Sequence, residues 1–415
     1  MADEIPDNNG GALSDLRVLD LTRILAGPTS TQLLGDLGAD IIKIERPGAG
    51  DDTRKWGPPY IKDKDGLETK ESAYYLSANR NKRSVGIDLS QPEGQQLVRR
   101  LVGKCDILVE NFKHGGLARY GLSYDQLKEE FPGLIFCSIT GFGQTGPYAP
   151  RAGYDYLAQG MGGIMSITGD PDGQPMKVGV GISDIMCGMY AAVSILAAIR
   201  HRDLTGEGQH IDLALLDTQI AWLANEGLNY LTSGIVPVRR GNAHPNIVPY
   251  QLFDTADDPL ILAVGNDGQF SRFCTFAEIP ELAEDPLYQT NSKRVANRVA
   301  LIKILIPVLK SKARKIWLDG LEKLGVPAGP VNDIAQVFDD PQVRHREMQI
   351  SVPHETAAAG SVDLIGNPVK MSETPVSYRH APPTLGQHTD EVLRELLGLS
   401  DDQLQKLHED GLVSS

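Results

Sequence analysis

The sequence predicts an α/β fold: a parallel sheet covered by helices on both faces, joined to a smaller second domain. From Arg17 onward, short aliphatic runs alternate with helical stretches of about 10 to 15 residues, the pattern of parallel strands linked by crossover helices. The chain has 415 residues, 41% of them hydrophobic and 23% charged, an ordinary globular composition but more chain than one compact domain normally holds. After a Gly- and Pro-rich stretch ending near Tyr250, the segments FDTADDPLILAVGND and SRFCTFAEIPEL begin a different composition.

In chain order, RVLDLT reads as a strand, a Gly-Pro turn follows, STQLLGDLGA reads as a helix and DIIKIER as the next strand. The same alternation returns in SVGIDL, PEGQQLVRRLVGK and DILVENF, with Pro92 opening the helix. A long apolar helix ends near Arg202, the turn LTGEGQ leads to strand HIDLAL, and another helical stretch starts at Asp217. Arg294 to Leu324 reads as helices, so residues 226–330 form the smaller domain. The tail returns to strands punctuated by Pro and Gly and closes with the amphipathic helices TDEVLRELLG and SDDQLQKLHEDG.

A formal net charge of −14 argues against nucleic acid or an anionic membrane surface as the main partner. The most apolar run, Cys187 to Ile199, ends at Arg200 and is shorter than the roughly 18 to 20 residues of a membrane helix. The first residues, MADEIPDNNGGALSD, lack the features of a signal or transit peptide and read as a flexible arm over 1–15, which with four scattered cysteines places the protein in the cytoplasm. No Cys/His cluster has metal-ligand spacing, no G-x-G-x-x-G or Walker A lysine is present, and no His pairs with a nucleophile elbow. No metal, no nucleotide cofactor and no permanently bound group is therefore expected.

Four constellations can carry chemistry. Ala26-Gly27-Pro28 and Ile44-Glu45-Arg46-Pro47-Gly48 sit where strands end, an edge that favours phosphates, although a bare strand-turn-helix also produces them. Arg46, Arg54, Arg80, Lys82, Arg83 and Arg119 follow strands and suit a multiply phosphorylated ligand, or are solvated surface charge. Asp184 in Gly181-Ile182-Ser183-Asp184 opens the apolar helix, where free N–H groups favour an ionised carboxylate, usable as a nucleophile or simply as a cap. Arg151-Ala152-Gly153-Tyr154-Asp155 follows a Gly/Pro-rich loop, and His244 in GNAHPN is the histidine to watch.

Taken together, LDLTRILAGP, LGADIIKIERPGAGDDTR, YYLSANRNKRSVGIDL, DILVENF, ITGFGQTGPYAPRAGYD, VGISDIMCGMYAA, TGEGQHIDLALLD, GNAHPNIVPYQLF, GVPAGPV and PPTLGQHTDEVL resemble the class III CoA-transferases related to formyl-CoA transferase, with their acyl-CoA racemase relatives. The resemblance runs in order from about residue 13 to the end of the chain. It implies a Rossmann-like large domain made of both chain ends (16–225 and, after a linker, the return within 331–415) and two subunits threaded into an interlocked homodimer. By position, Asp184 falls on the family's catalytic aspartate. The family's CoA contacts fall on Leu25, Arg46, Ile87, Asp88, Leu89, Asn111, Phe112, Lys113, Arg119, Ala152, Gly153, Tyr154 and Asp155.

The implied reaction takes CoA from an acyl-CoA to a carboxylic acid through an aspartyl-CoA thioester, with acyl-CoA as substrate and no other cofactor. Leu25 stands where formyl-CoA transferase has glutamine, and no glycine run follows GNAHPNIVPY, which speaks against oxalate/formyl exchange. Tyr154 stands where the racemases have histidine, which speaks against racemisation. The wording of RVLDLTRILAGP, GAGDDTRKWGPP and RAGYD is nearest to the branch exchanging succinyl-CoA with a dicarboxylate such as glutarate, whose second carboxylate needs a cation: Arg54, Arg239 or Arg240. An acyl-CoA epimerase and a CoA-binding protein without turnover are the alternatives.

Overall fold

A computed structural model describes residues 11–414. The arm expected over 1–15 lies outside the described residues as far as residue 10. From there Gly11 to Asp15 form a turn, with the Leu13 N–H donating to Leu37 O at 3.0 Å.

Contacts divide the described residues into two units, one comprising residues 11–164, 178–223 and 341–414, the other 165–177 and 224–340. The first unit holds the large sheet. Its strands are β1 (Arg17–Leu21), β2 (Asp40–Glu45), β3 (Lys82–Ile87), β4 (Ile107–Glu110), β5 (Ile135–Thr140), β6 (His210–Ala214) and β7 (Val413–Ser414), in the order β7-β3-β2-β1-β4-β5-β6. All neighbours pair parallel except β7, which runs antiparallel to β3.

Helices α1 (Ala26–Asp36) and α4 (Ile182–Thr205) cover one face, while α2 (Pro92–Val102), α5 (Thr389–Leu397) and α6 (Asp401–Glu409) cover the other; α3 (Asp155–Met161) packs on α4. Along β1, Leu19 and Leu21 enter the core with α2, and Val18 enters the core with α1 and α4. Burial on both faces is why these strands read as continuous aliphatic runs rather than alternating ones.

Three local expectations change. The Gly-Pro pair after β1 is no free turn but the first turn of α1, where the N–H that Pro28 lacks has no helical partner to lose. Strand β5 arises from LIFCSIT, a run the sequence reading left unassigned, and every residue from Ile135 to Ile139 is buried. Helix α4 spans 24 residues, longer than its apolar run suggested and, by length and composition alone, enough to cross a bilayer; half of its most apolar window is buried inside the fold, where Cys187, Ala191 and Ile195 join the core.

The second unit has its own core around Phe270, Phe273, Leu301, Leu305 and Trp317, under an antiparallel sheet with Leu260–Ala263 between Tyr250–Phe253 and Ala328–Pro330. Arg294 is fully buried there, its guanidinium donating to Val248 O, Tyr288 O and Asp267.

In the large sheet the strand order reverses between β1 and β4, and a doubly wound sheet opens a crevice at the carboxyl ends of the strands at that point. The segments leaving β1 and β4 are Thr22–Leu25 and Asn111–Lys113.

Candidate active site

The turn after β1 is clamped by side chains at three successive residues. Asp20 Oδ1 accepts the Thr22 N–H at 2.8 Å, and Lys43 Nζ donates to Thr22 O at 2.8 Å and to Asp51 Oδ2 at 3.0 Å. Across the switch point, Asn111 accepts the Arg23 N–H at 2.9 Å and donates to Arg23 O at 2.6 Å. Asp51 Oδ1 accepts the Ile24 N–H at 3.2 Å. These bonds hold Ile24 at φ +74°, a left-handed conformation that costs a β-branched residue about 1–3 kcal/mol. Charge balance underlies the clamp: Lys43 and Lys82 are fully buried against Asp51 and Asp20. Burial alone would raise the Asp20 carboxyl, but Lys82 and Lys43 overcome it and hold it near 2.

The turn delivers Ile24 and Ala26 to the wall of a cavity of about 330 Å³ that Asp184 also lines. Asp184 lies in the first turn of α4, three residues after the helix's N-terminal flank Gly181, and is 8% exposed. It caps nothing. The carboxylate that does is Asp155, at the start of α3, whose Oδ1 accepts the N–H groups of Ser183 at 2.8 Å and Asp184 at 3.2 Å while its Oδ2 accepts from Gln159 at 2.7 Å.

The helix terminus is thus already satisfied by an anion. Burial first, and the charge of Asp155 second, push the Asp184 carboxyl up to about 7, which overturns the expectation that this position favours ionisation. Within the described residues no hydrogen bond reaches either Asp184 oxygen, so the group is poorly solvated and unencumbered. A carboxylate in that state is a strong nucleophile once deprotonated.

A second cavity of about 620 Å³ adjoins the first, and the two share Arg23, Asp52, Phe112 and Lys113. Its wall includes Arg46, Ile87, Asp88, Leu89 and Arg119, the last stacked on the Tyr120 ring. Arg46, Lys113 and Arg119 are exposed cations around a pocket with apolar walls, a fit for a nucleotide bearing phosphates. Together the cavities make an elongated site with cations at one end and an isolated carboxylate at the other.

The profile of CoA-transferase family III matches residues 13–389. The chain belongs to CoA-transferase family III. It is 52% identical to a succinate–glutarate CoA-transferase of Agrobacterium fabrum over 94% of this chain and 96% of that one. It is 43% identical to the human succinyl-CoA:glutarate CoA-transferase, over 98% of this chain and 91% of the relative. Among solved structures, a CAIB/BAIF family protein from Brucella suis shares the fold with a TM-score of 0.81 and 49% identity, covering 93% of this chain and 100% of its own.

For a family III CoA-transferase, the two cavities gather most of the residues singled out from the sequence. Asn111, Ala152, Gly153 and Tyr154 line the Asp184 cavity, and Arg46, Ile87, Asp88, Leu89 and Arg119 the second. Leu25 is buried at the start of α1 with its side chain close to Gly181, and Asp155 holds α4 rather than facing the cavity.

Arg54 is not free to meet a substrate. It is 4% exposed and spends its donors on Glu45, Glu71, the Tyr75 hydroxyl and Pro383 O. Arg80, Lys82 and Arg83 are likewise buried, paired with Asp36, Asp20 and Asp40. Lys82 and Arg83 lie inside the fold because β3 begins at Lys82, two residues before the apolar run that marked it in the sequence. Arg239 and Arg240 belong to the second unit, where Arg239 donates to Asp170 O and Gly173 O and Arg240 pairs with Glu226 at 3.5 Å. His244, also in that unit, packs on Tyr250 and accepts the Asn246 N–H.

Sequence reasoning missed Trp56, which lines the Asp184 cavity and meets Tyr74 edge-on at 5.1 Å. Burial, then the charges of Asp184 and Asp155, raise the Tyr74 hydroxyl. A tryptophan four residues after the Gly- and Asp-rich turn, in GAGDDTRKWGPP, was the sequence signal available for this wall.

Proposed function

We propose that this family III CoA-transferase takes CoA from succinyl-CoA and gives it to glutarate, with Asp184 as the covalent carrier. The observation that supports it best is the buried Asp184 carboxyl, without a hydrogen bond, on the wall of a cavity continuous with a cation-rimmed pocket. The relatives named for the same exchange support the substrate pair.

In the proposed sequence the Asp184 carboxylate attacks the succinyl thioester carbonyl, giving a mixed anhydride and CoA thiolate. The thiolate then attacks the Asp184 carbonyl, releasing succinate with one aspartate oxygen and leaving an aspartyl-CoA thioester. Glutarate repeats the two steps in reverse and leaves as glutaryl-CoA. Donor and product are both thioesters of similar energy, so the overall exchange needs no nucleotide hydrolysis and no redox step, and the anhydrides are its transient high-energy intermediates. Each step develops an oxyanion that needs preorganised N–H donors, and the anhydride must be kept from water.

We further assign the large unit the Rossmann-like role of holding CoA, and the working protein an interlocked homodimer in the cytoplasm, where its four cysteines, all unpaired, remain thiols. Incubation of the purified chain with succinyl-CoA and a panel of carboxylic acids tests the activity. Glutaryl-CoA should form with the parent and not with Asp184→Asn; equal product from both would remove Asp184 from the chemistry.

A further inference from the structure

Glutarate and succinate each carry a second carboxylate, and in a cavity that already holds Asp184 and Asp52 that charge requires a cation. Three Arg or Lys side chains line the cavity: Arg23, Lys113 and Arg151. Arg23 is paired with Asp52 at 2.6 Å. Lys113 is shared with the second cavity and stands where phosphates would lie. Arg151 lines the Asp184 cavity and not the second, and among the described residues no carboxylate lies within ion-pair distance of it.

The position of Arg151 is built rather than incidental. Its guanidinium lies over the Tyr148 ring, 3.9 Å from the centroid, and its backbone N–H donates to Tyr148 O at 2.8 Å. Tyr148 in turn meets Phe142 edge-on at 5.6 Å. On the other side, Gly141 and Gly153 pack backbone to backbone: a Cβ on Gly141 would lie 2.5 Å from Gly153 Cα. Stacking on a ring restrains the plane of a guanidinium and leaves its N–H edge free, the geometry that grips a carboxylate through two parallel hydrogen bonds.

We propose that Arg151 binds the distal carboxylate of the dicarboxylate substrates and so sets their selection over monocarboxylates. This rests on the function proposed above. It places the selectivity in the loop before α3 and not on Arg54, whose donors are spent.

In a double displacement, kcat/KM for the acceptor reads the second half-reaction alone, so acceptors can be compared cleanly. For Arg151→Met, kcat/KM with glutarate should fall about 100-fold, mostly in KM, while that with valerate, the five-carbon monocarboxylate, stays within about twofold of the parent. Arg151→Glu should also lose glutarate and gain 5-aminovalerate, whose distal ammonium reverses the charge. A glutarate value unchanged in both variants, or an equal fall for glutarate and valerate with no gain of 5-aminovalerate, overturns the assignment. A parent chain that makes no glutaryl-CoA overturns the functional reading itself, and Arg151's role with it.

Discussion

Asp184 and Asp155 divide two tasks that one carboxylate cannot perform together. Asp155 satisfies the N–H groups of Ser183 and Asp184, which leaves the Asp184 oxygens free for a substrate. The consequence is a carboxyl pushed up to about 7, by burial first and the neighbouring charge second. Only the deprotonated form attacks, so kcat/KM for succinyl-CoA should rise with pH through about 7 and level off above it. Asp155→Asn keeps an acceptor oxygen for the helix but removes the like charge, so the rise should move to lower pH without reaching the ordinary carboxylate range, since burial persists.

Glu110, beneath the Asn111–Lys113 segment with its carboxylate accepting the Phe112 N–H at 2.7 Å, is also pushed up to about 7 by burial. Glu110→Gln should leave the rise where it is. A rise that vanished in Glu110→Gln and stayed fixed in Asp155→Asn would belong to Glu110. At this scale the place of Asp184 at the start of the apolar helix was legible in the sequence, whereas its protonation was not. Its cap comes from a residue on another helix, and burial is a property of the whole fold. Arg54 fails for the same reason: an Arg in a Gly- and Asp-rich turn looks the same in sequence whether it faces water or Glu45 and Glu71.

Between elements, the crossing of α1 and α4 fixes the distance from the strained turn to Asp184. Gly188 makes that crossing possible: a Cβ there would lie 2.5 Å from Ala26 O and 2.9 Å from Thr29 Cβ. Gly188→Ala should therefore push the two helices apart, lowering stability by about 1–3 kcal/mol and kcat by roughly tenfold or more as Ala26 and Asp184 separate. Denaturant titration and steady-state kinetics on the folded variant measure the two effects, and parental values for both would mean that the crossing does not position the site.

The alternation of strands and helices was readable because burial on both faces leaves unbroken aliphatic runs such as RVLDL and DIIKIE. The exact start of α1 was not, because Gly and Pro signal a turn locally, while in the fold Gly27 packs so closely on Thr22 that a Cβ there would lie 2.3 Å from its methyl group.

On the scale of the whole molecule, α4 turns Met189, Val193 and Leu196 outward along one stripe, each at least 37% exposed. Apolar surface of this kind on a core helix fits a second copy of the chain. Sedimentation should therefore give a dimer at micromolar concentrations, and Val193→Arg should shift it toward monomer; a parent chain that sediments as a monomer would leave that face to another use. Length and composition announced two domains, but the excursion of residues 165–177 into the second unit carries no compositional mark.

The central claim, that Asp184 carries CoA through a covalent thioester, makes one isotopic prediction. In the exchange as proposed, a carboxylate oxygen of glutarate is left on Asp184 when glutaryl-CoA departs. Turnover with succinyl-CoA and glutarate labelled with oxygen-18 in its carboxylates, followed by mass spectrometry of the peptide holding Asp184, reads this directly. Label confined to that side chain is the expected result; an unlabelled Asp184 after many turnovers, with glutaryl-CoA formed, would mean that the acids exchange CoA without passing through it.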